Sequence, residues 1–123
     1  MDTGVRTITI IDDENEILLM LEKHLSREGY RVKTFDNPLN AISSIPNDTD
    51  LILLDIMMPQ MNGLDALPKL QEKLPNVKVL IMTAFSTLDK VLNAHRNGAN
   101  DYIMKPFPSL NELSKKIDNI LND

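Results

Sequence analysis

Short apolar runs without polar interruption alternate along this chain with longer stretches in which apolar residues recur every three or four positions. The runs Ile8-Thr9-Ile10-Ile11, Leu51-Ile52-Leu53-Leu54, Val79-Leu80-Ile81-Met82 and Tyr102-Ile103-Met104 are too short for helices. They lack the in-out alternation of a half-solvated strand, so they read as strands buried on both faces, the habit of a parallel sheet. Five repeats of strand then helix predict an α/β fold. It is a single doubly wound (βα)5 unit with helices on both faces of a five-stranded parallel sheet.

A strand over 6–11 leads into a helix over 15–28 that stops at Gly29, a residue suited to a left-handed cap. The core stripe of that helix is Ile17, Met20, Leu21, His24 and Leu25. A second strand over 31–35 runs into Asp36-Asn37-Pro38, a side-chain cap ahead of a proline in the first helical turn, and a short helix to 45 follows. The third strand, 51–54, is central. After the loop Met58-Pro59-Gln60-Met61-Asn62-Gly63, a stripe of Leu64, Leu67, Leu70 and Leu74 marks a helix. Pro68 falls inside it and predicts a late start or a distortion, because proline has no amide to donate. A fourth strand over 78–82, a helix over 87–97 ended by Gly98 and a fifth strand over 101–104 come next. The last helix opens with the capping box Ser109-Leu110-Asn111-Glu112 and buries Leu113, Ile117, Ile120 and Leu121. No repeat, low-complexity tract or linker interrupts residues 1–123, which read as one domain.

Composition narrows the functional classes. There is no cysteine, which removes thiolate metal sites and dithiol redox chemistry and gives no sign of an oxidising compartment. A net charge of −5 with scattered lysines and arginines argues against a nucleic-acid footprint by this chain. No run approaches the roughly 18 apolar residues of a membrane span, and no signal peptide opens the chain, so a soluble cytoplasmic protein is expected.

The candidate chemistry sits where the strands end. Asp12-Asp13 follow the first strand, Asp55 the third, Thr83 the fourth and Lys105 the fifth. In a flavodoxin-like sheet of order 2-1-3-4-5 the winding direction reverses between strands one and three, and ligands bind outside that reversal. Three carboxylates gathered there repel one another unless a cation joins them, and oxygen ligands favour a hard ion such as Mg²⁺ or Mn²⁺. Asp13 and Asp55 are the direct ligands in this reading, with Asp12 acting through water. An ionised Asp55 is then a nucleophile able to form an aspartyl phosphate, with Thr83 and Lys105 contacting the phosphoryl oxygens. His24 and His95 have no partners that point to catalysis, and the seven methionines read as filler.

Four blocks at these strand ends resemble the signature blocks of bacterial two-component response-regulator receiver domains, the CheY-like superfamily. They are Asp12-Asp13-Glu14, the segment from Leu53 to Gly63, Met82-Thr83-Ala84, and Asp101-Tyr102-Ile103-Met104-Lys105-Pro106-Phe107. The resemblance spans nearly the whole chain. It implies Asp55 as phosphoacceptor, Asp12 and Asp13 as the acidic pair, the Met57 carbonyl as a further metal ligand, and Thr83 and Lys105 as the phosphoryl-contacting pair. It also implies a cis Lys105-Pro106 bond and a switch in which Thr83 moves to the phosphate and Tyr102 turns inward. The responding surface would be the fourth predicted helix, the last strand and the last helix.

The implied partners are a sensor histidine kinase or a histidine phosphotransfer protein and a downstream effector domain or protein. The chain is expected to be a monomer or a phosphorylation-dependent dimer, and a signalling phosphoprotein rather than a turnover enzyme. Leu19, placed off the buried stripe, joins Phe107 and Pro108 as the expected donor-docking patch. Met57 and Phe85 lack side chains that orient water, so a long-lived phosphoryl group is expected. No output domain is visible, which leaves a stand-alone shuttle and a piece of a larger regulator both open. Two competing classes are a phosphorylation-independent scaffold of the same fold and a haloacid-dehalogenase-like phosphatase. The latter needs a second aspartate where Met57 stands.

Overall fold

The computed structural model describes residues 4–84 and 98–122. The elements run β1 (Thr7–Ile11), α1 (Asn15–Arg27), β2 (Arg31–Phe35), α2 (Pro38–Ser44), β3 (Leu51–Asp55), α3 (Gly63–Lys73), β4 (Lys78–Ala84), β5 (Asp101–Lys105) and α4 (Leu110–Leu121). The helix expected over 87–97, with Phe85 and His95, lies outside the described residues. All strand pairs are parallel, in the order β2-β1-β3-β4-β5. The doubly wound α/β expectation holds.

The two-sided burial of β1, β3 and β4 explains the layers, whereas β5, expected to be buried on both faces, lies at the edge of the sheet and buries only Ile103. Alternate residues Ile8, Ile10, Leu51, Leu53, Leu80 and Met82 face one core, built with Leu21 and Leu25 of α1 and Leu113 and Ile117 of α4. The intervening Ile11, Ile52, Leu54, Val79 and Ile81 face a second core with Ala41 of α2 and Ala66, Leu67 and Leu70 of α3. Because successive strand side chains point to opposite faces, an unbroken apolar run is what a sheet with helices on both sides demands.

Local signals set most boundaries. Asn37 caps α2 by accepting from the Leu39 amide ahead of Pro38, and Ser109 caps α4 by accepting from the Glu112 amide. Gly29 takes φ 97° and Gly98 φ 105°, the left-handed conformation expected after a helix. Lys105-Pro106 is cis.

Two further expectations need correction. In α1 the buried residues are Leu18, Leu21 and Leu25, whereas Met20 is 37% exposed and Ile17 and His24 only partly covered. At about 100° per residue, Leu18 and Met20 lie on opposite flanks of Leu21. The sheet takes the Leu18 flank. In α3 the helix starts at Gly63, capped by the Asn62 side chain, and runs through Pro68 without a late start. Pro68 is exposed, so the Leu64 carbonyl that loses its amide partner lies on the wet side, where water can serve it.

Candidate functional site at the carboxyl edge of the sheet

Strand register carries the polar residues to one edge. Asp55 is the last residue of β3, opposite Met82, with Thr83 one step beyond in β4, and Lys105 ends β5 opposite Ala84. The β1–β2 ladder continues to Asp12, whose amide donates to the Phe35 carbonyl. One carboxylate oxygen each from Asp12, Asp13 and Asp55 falls within 4.8 Å of the others.

Lys105 neutralises much of this charge. Its Nζ lies 2.6 Å from Asp12 Oδ2, 3.1 Å from Glu14 Oε1 and 3.6 Å from Asp55 Oδ1. Asp12 is fully buried, and its Oδ2 meets Lys105 as an ion pair rather than with the alignment of a hydrogen bond. Asp12 Oδ1 accepts from the Glu14 amide at 2.9 Å, which aims the carboxylate. Thr83 is buried, and its hydroxyl donates to the Ala84 carbonyl at 3.1 Å.

One ammonium does not balance three carboxylates. Burial, then the Asp12 charge, pushes Asp55 up to about 7, against the opposing pull of Lys105 and of the Met57 amide that donates to it. Burial is also the main reason the Asp12 pKa is raised. For Lys105 burial favours the neutral amine, yet the contacts with Asp12, and after it Asp55 and Glu14, outweigh that and raise its pKa. A cluster in which Asp12 and Asp55 resist ionisation, with a buried oxygen lacking an aligned donor, fits a divalent cation with oxygen ligands.

Gly63 ties the loop to the strand end. Its amide donates to the Ile56 carbonyl at 2.8 Å, and a Cβ there would stand 2.2 Å from the Asp55 backbone oxygen. The structure therefore brings Asp12, Asp13, Asp55 and Lys105 together as the sequence predicts, with Thr83 beside them on the same edge. Two participants escaped sequence reasoning. Glu14 was visible only as the neighbour of the acidic pair, and Gly63 only as a loop residue.

Beside the cluster a groove of about 630 Å³ runs between α1 and the segment after β5. Phe107 lines it together with Ile17 and Met20. Leu19 is 59% exposed on α1, and neither it nor Pro108 lines the groove. The Met57 side chain is also exposed. Tyr102 lies 39% exposed on β5.

A family profile described as "Response regulator receiver domain" matches residues 8–118. The chain belongs to the response regulator receiver domain family. Among relatives of this receiver domain, the "DNA-binding transcriptional regulator NtrC" of Proteus hauseri is 38% identical over 101 residues, covering 81% of this chain and 21% of its own length. "Response regulator SaeR" of Staphylococcus aureus is 36% identical over 114 residues, covering 93% of this chain and 50% of SaeR. The chain thus spans half the length or less of these curated relatives. A receiver domain protein described as CheY-like, from Methanospirillum hungatei JF-1, superposes with a TM-score of 0.90 at 31% identity, over 97% of this chain and 95% of that one. The receiver domain of NtrX from Brucella abortus gives 0.87 at 27%, covering 94% and 98%. The chain is therefore a receiver domain of two-component response regulators. No helix among the described residues is long and apolar enough to cross a membrane.

Proposed function

We propose that this receiver domain accepts a phosphoryl group on Asp55 from a phosphohistidine donor and relays the event to a downstream effector. The observation that carries the reading is the close meeting of Asp12, Asp13 and Asp55 with the Lys105 ammonium at one sheet edge. Magnesium or manganese, held by Asp12, Asp13, Asp55 and the Met57 carbonyl, would supply the positive charge that keeps Asp55 ionised and neutralises phosphoryl oxygens.

The chain's own groups perform the transfer. An Asp55 carboxylate oxygen bonds to phosphorus as the donor's phosphorus–nitrogen bond breaks and its electron pair returns to the imidazole. The Met57 amide already donates to Asp55 and helps hold its orientation. Lys105, 3.6 Å from Asp55, is placed to follow the negative charge onto the phosphoryl oxygens. Thr83 would exchange the Ala84 carbonyl for the phosphoryl group, and Tyr102 would turn inward in response. Donor recognition is assigned to Leu19, Phe107 and Pro108, and the partners are a sensor histidine kinase or a histidine phosphotransfer protein.

Incubation with acetyl phosphate and Mg²⁺ should yield an acid-stable, base-labile adduct that peptide mapping places on Asp55. No adduct, or one mapped elsewhere, would overturn the assignment. Leu19→Ala should slow transfer from a phosphohistidine protein severalfold and leave the acetyl phosphate reaction unchanged. Equal rates from the protein donor would remove Leu19 from the docking surface.

A further inference from the structure

Tyr102 does not lie loose on the surface. The Lys116 ammonium, reaching from α4, sits 5.5 Å from the centre of its ring and 3.2 Å from Asp101 Oδ2. The other Asp101 oxygen accepts from the Tyr102 amide at 2.8 Å. One carboxylate therefore joins the backbone of Tyr102 to the cation that covers its side chain. The cation is held in place by the helix, because Lys116 directly precedes Ile117, which is fully buried against the sheet.

We infer that Lys116 is a positioning residue that holds the Tyr102 ring on the outer face of β5, opposing its inward turn. The inference rests on the proposed function, in which Tyr102 is the switch aromatic. A cation over a partly exposed aromatic ring favours the ring position that keeps the contact, and the Asp101 ion pair fixes where that position is. Inward rotation of the ring gives up the contact with the ammonium. Lys116 therefore biases the resting equilibrium toward the outward state, and its loss shifts the outward-to-inward ratio about two- to fivefold. Any ligand or modification that favours the inward state gains by the same factor.

The chain has two tyrosines and no tryptophan, so the movement is readable directly. Protein labelled with 3-fluorotyrosine gives two fluorine resonances, and Tyr102→Phe assigns them. Broadening by a soluble gadolinium chelate then reports ring exposure in the unphosphorylated protein. Lys116→Met should protect the Tyr102 resonance from broadening, whereas Lys116→Arg, which keeps a cation over the ring, should match the wild type. The Tyr30 resonance should stay unchanged in both. With acetyl phosphate and Mg²⁺, Lys116→Met should also form the Asp55 adduct about two- to fivefold faster. Unchanged broadening in Lys116→Met, or an arginine variant that behaves like the methionine variant, would overturn the role of Lys116. Failure of the wild type to form any adduct would instead sink the phosphoacceptor reading, and the fluorine measurement, made without phosphorylation, would still decide whether Lys116 holds the ring.

Discussion

Asp55→Asn is expected to raise the thermal midpoint of the metal-free protein at pH 8 while abolishing the phosphoryl adduct. Asp55 is 4% exposed, and its carboxyl is pushed up to about 7, first by burial and then by the Asp12 charge. Its folded pKa thus lies above the ordinary aspartate value of 3.8. Between those values the folded state binds more protons than the unfolded chain, so stability is fully present at low pH and is lost as pH rises through about 7. Asp12, also raised by burial, acts in the same direction. Lys105 stays charged throughout this window and adds no slope there.

Asparagine keeps the size of the side chain and removes the charge that folding has to desolvate. The gain at pH 8 should be on the order of 2 kcal/mol, or roughly 5–10 °C for a chain of this size. It should fade toward pH 4, where the aspartate is protonated as well. Millimolar Mg²⁺ should stabilise the wild type more than the variant and narrow the gap. Calorimetry at pH 4, 6 and 8 checks all three points. A wild-type midpoint that rises between pH 4 and 7 would contradict the expected sign.

Gly63→Ala should be the most damaging single-methyl change in the molecule. The added carbon would stand 2.2 Å from the Asp55 backbone oxygen and 2.9 Å from the Ile56 Cα. Both obstacles are backbone at the end of the central strand, so no rotamer change relieves them. Loop and strand must separate, at a cost of about 2–4 kcal/mol. The separation also displaces Asp55, and shifts on the order of 1 Å in a reacting group can cost about 10²-fold in rate. Gly29→Ala separates the two effects. Gly29 has φ 97° and nothing within 4 Å of its would-be Cβ. That variant should lose about 1 kcal/mol and phosphorylate normally. Denaturant unfolding together with the acetyl phosphate rate distinguishes them, and a Gly63→Ala protein with wild-type stability and rate would show that the contact is not restrictive.

The strands, the two-sided burial of β1, β3 and β4, the caps at Asn37 and Ser109, and the gathering of Asp12, Asp13 and Asp55 were legible in the chain, whereas the edge position that exposes Tyr102 on β5 was not. Each legible feature depends on period, composition or the identity of neighbours a few residues away. Once the strands are parallel, their carboxyl ends must share an edge, so the acidic site follows from the order of the strands. What periodicity leaves open is rotation and reach. Leu18 and Met20 are equivalent flanks of α1 until the sheet covers one of them. The tolerance of Pro68 depends on which side of α3 meets water. The partners of Lys105 include Glu14, which is 91 positions away in the chain. Lys116 meets Asp101 from the far side of a strand-to-helix turn. Local sequence determined which elements form and where their polar ends fall, because those choices are made by short-range sterics and hydrophobic period. Only the packed tertiary structure decided which cation serves which carboxylate, how closely Gly63 approaches Asp55 and which aromatic is held by Lys116, because those contacts arise between segments whose spacing no local pattern encodes.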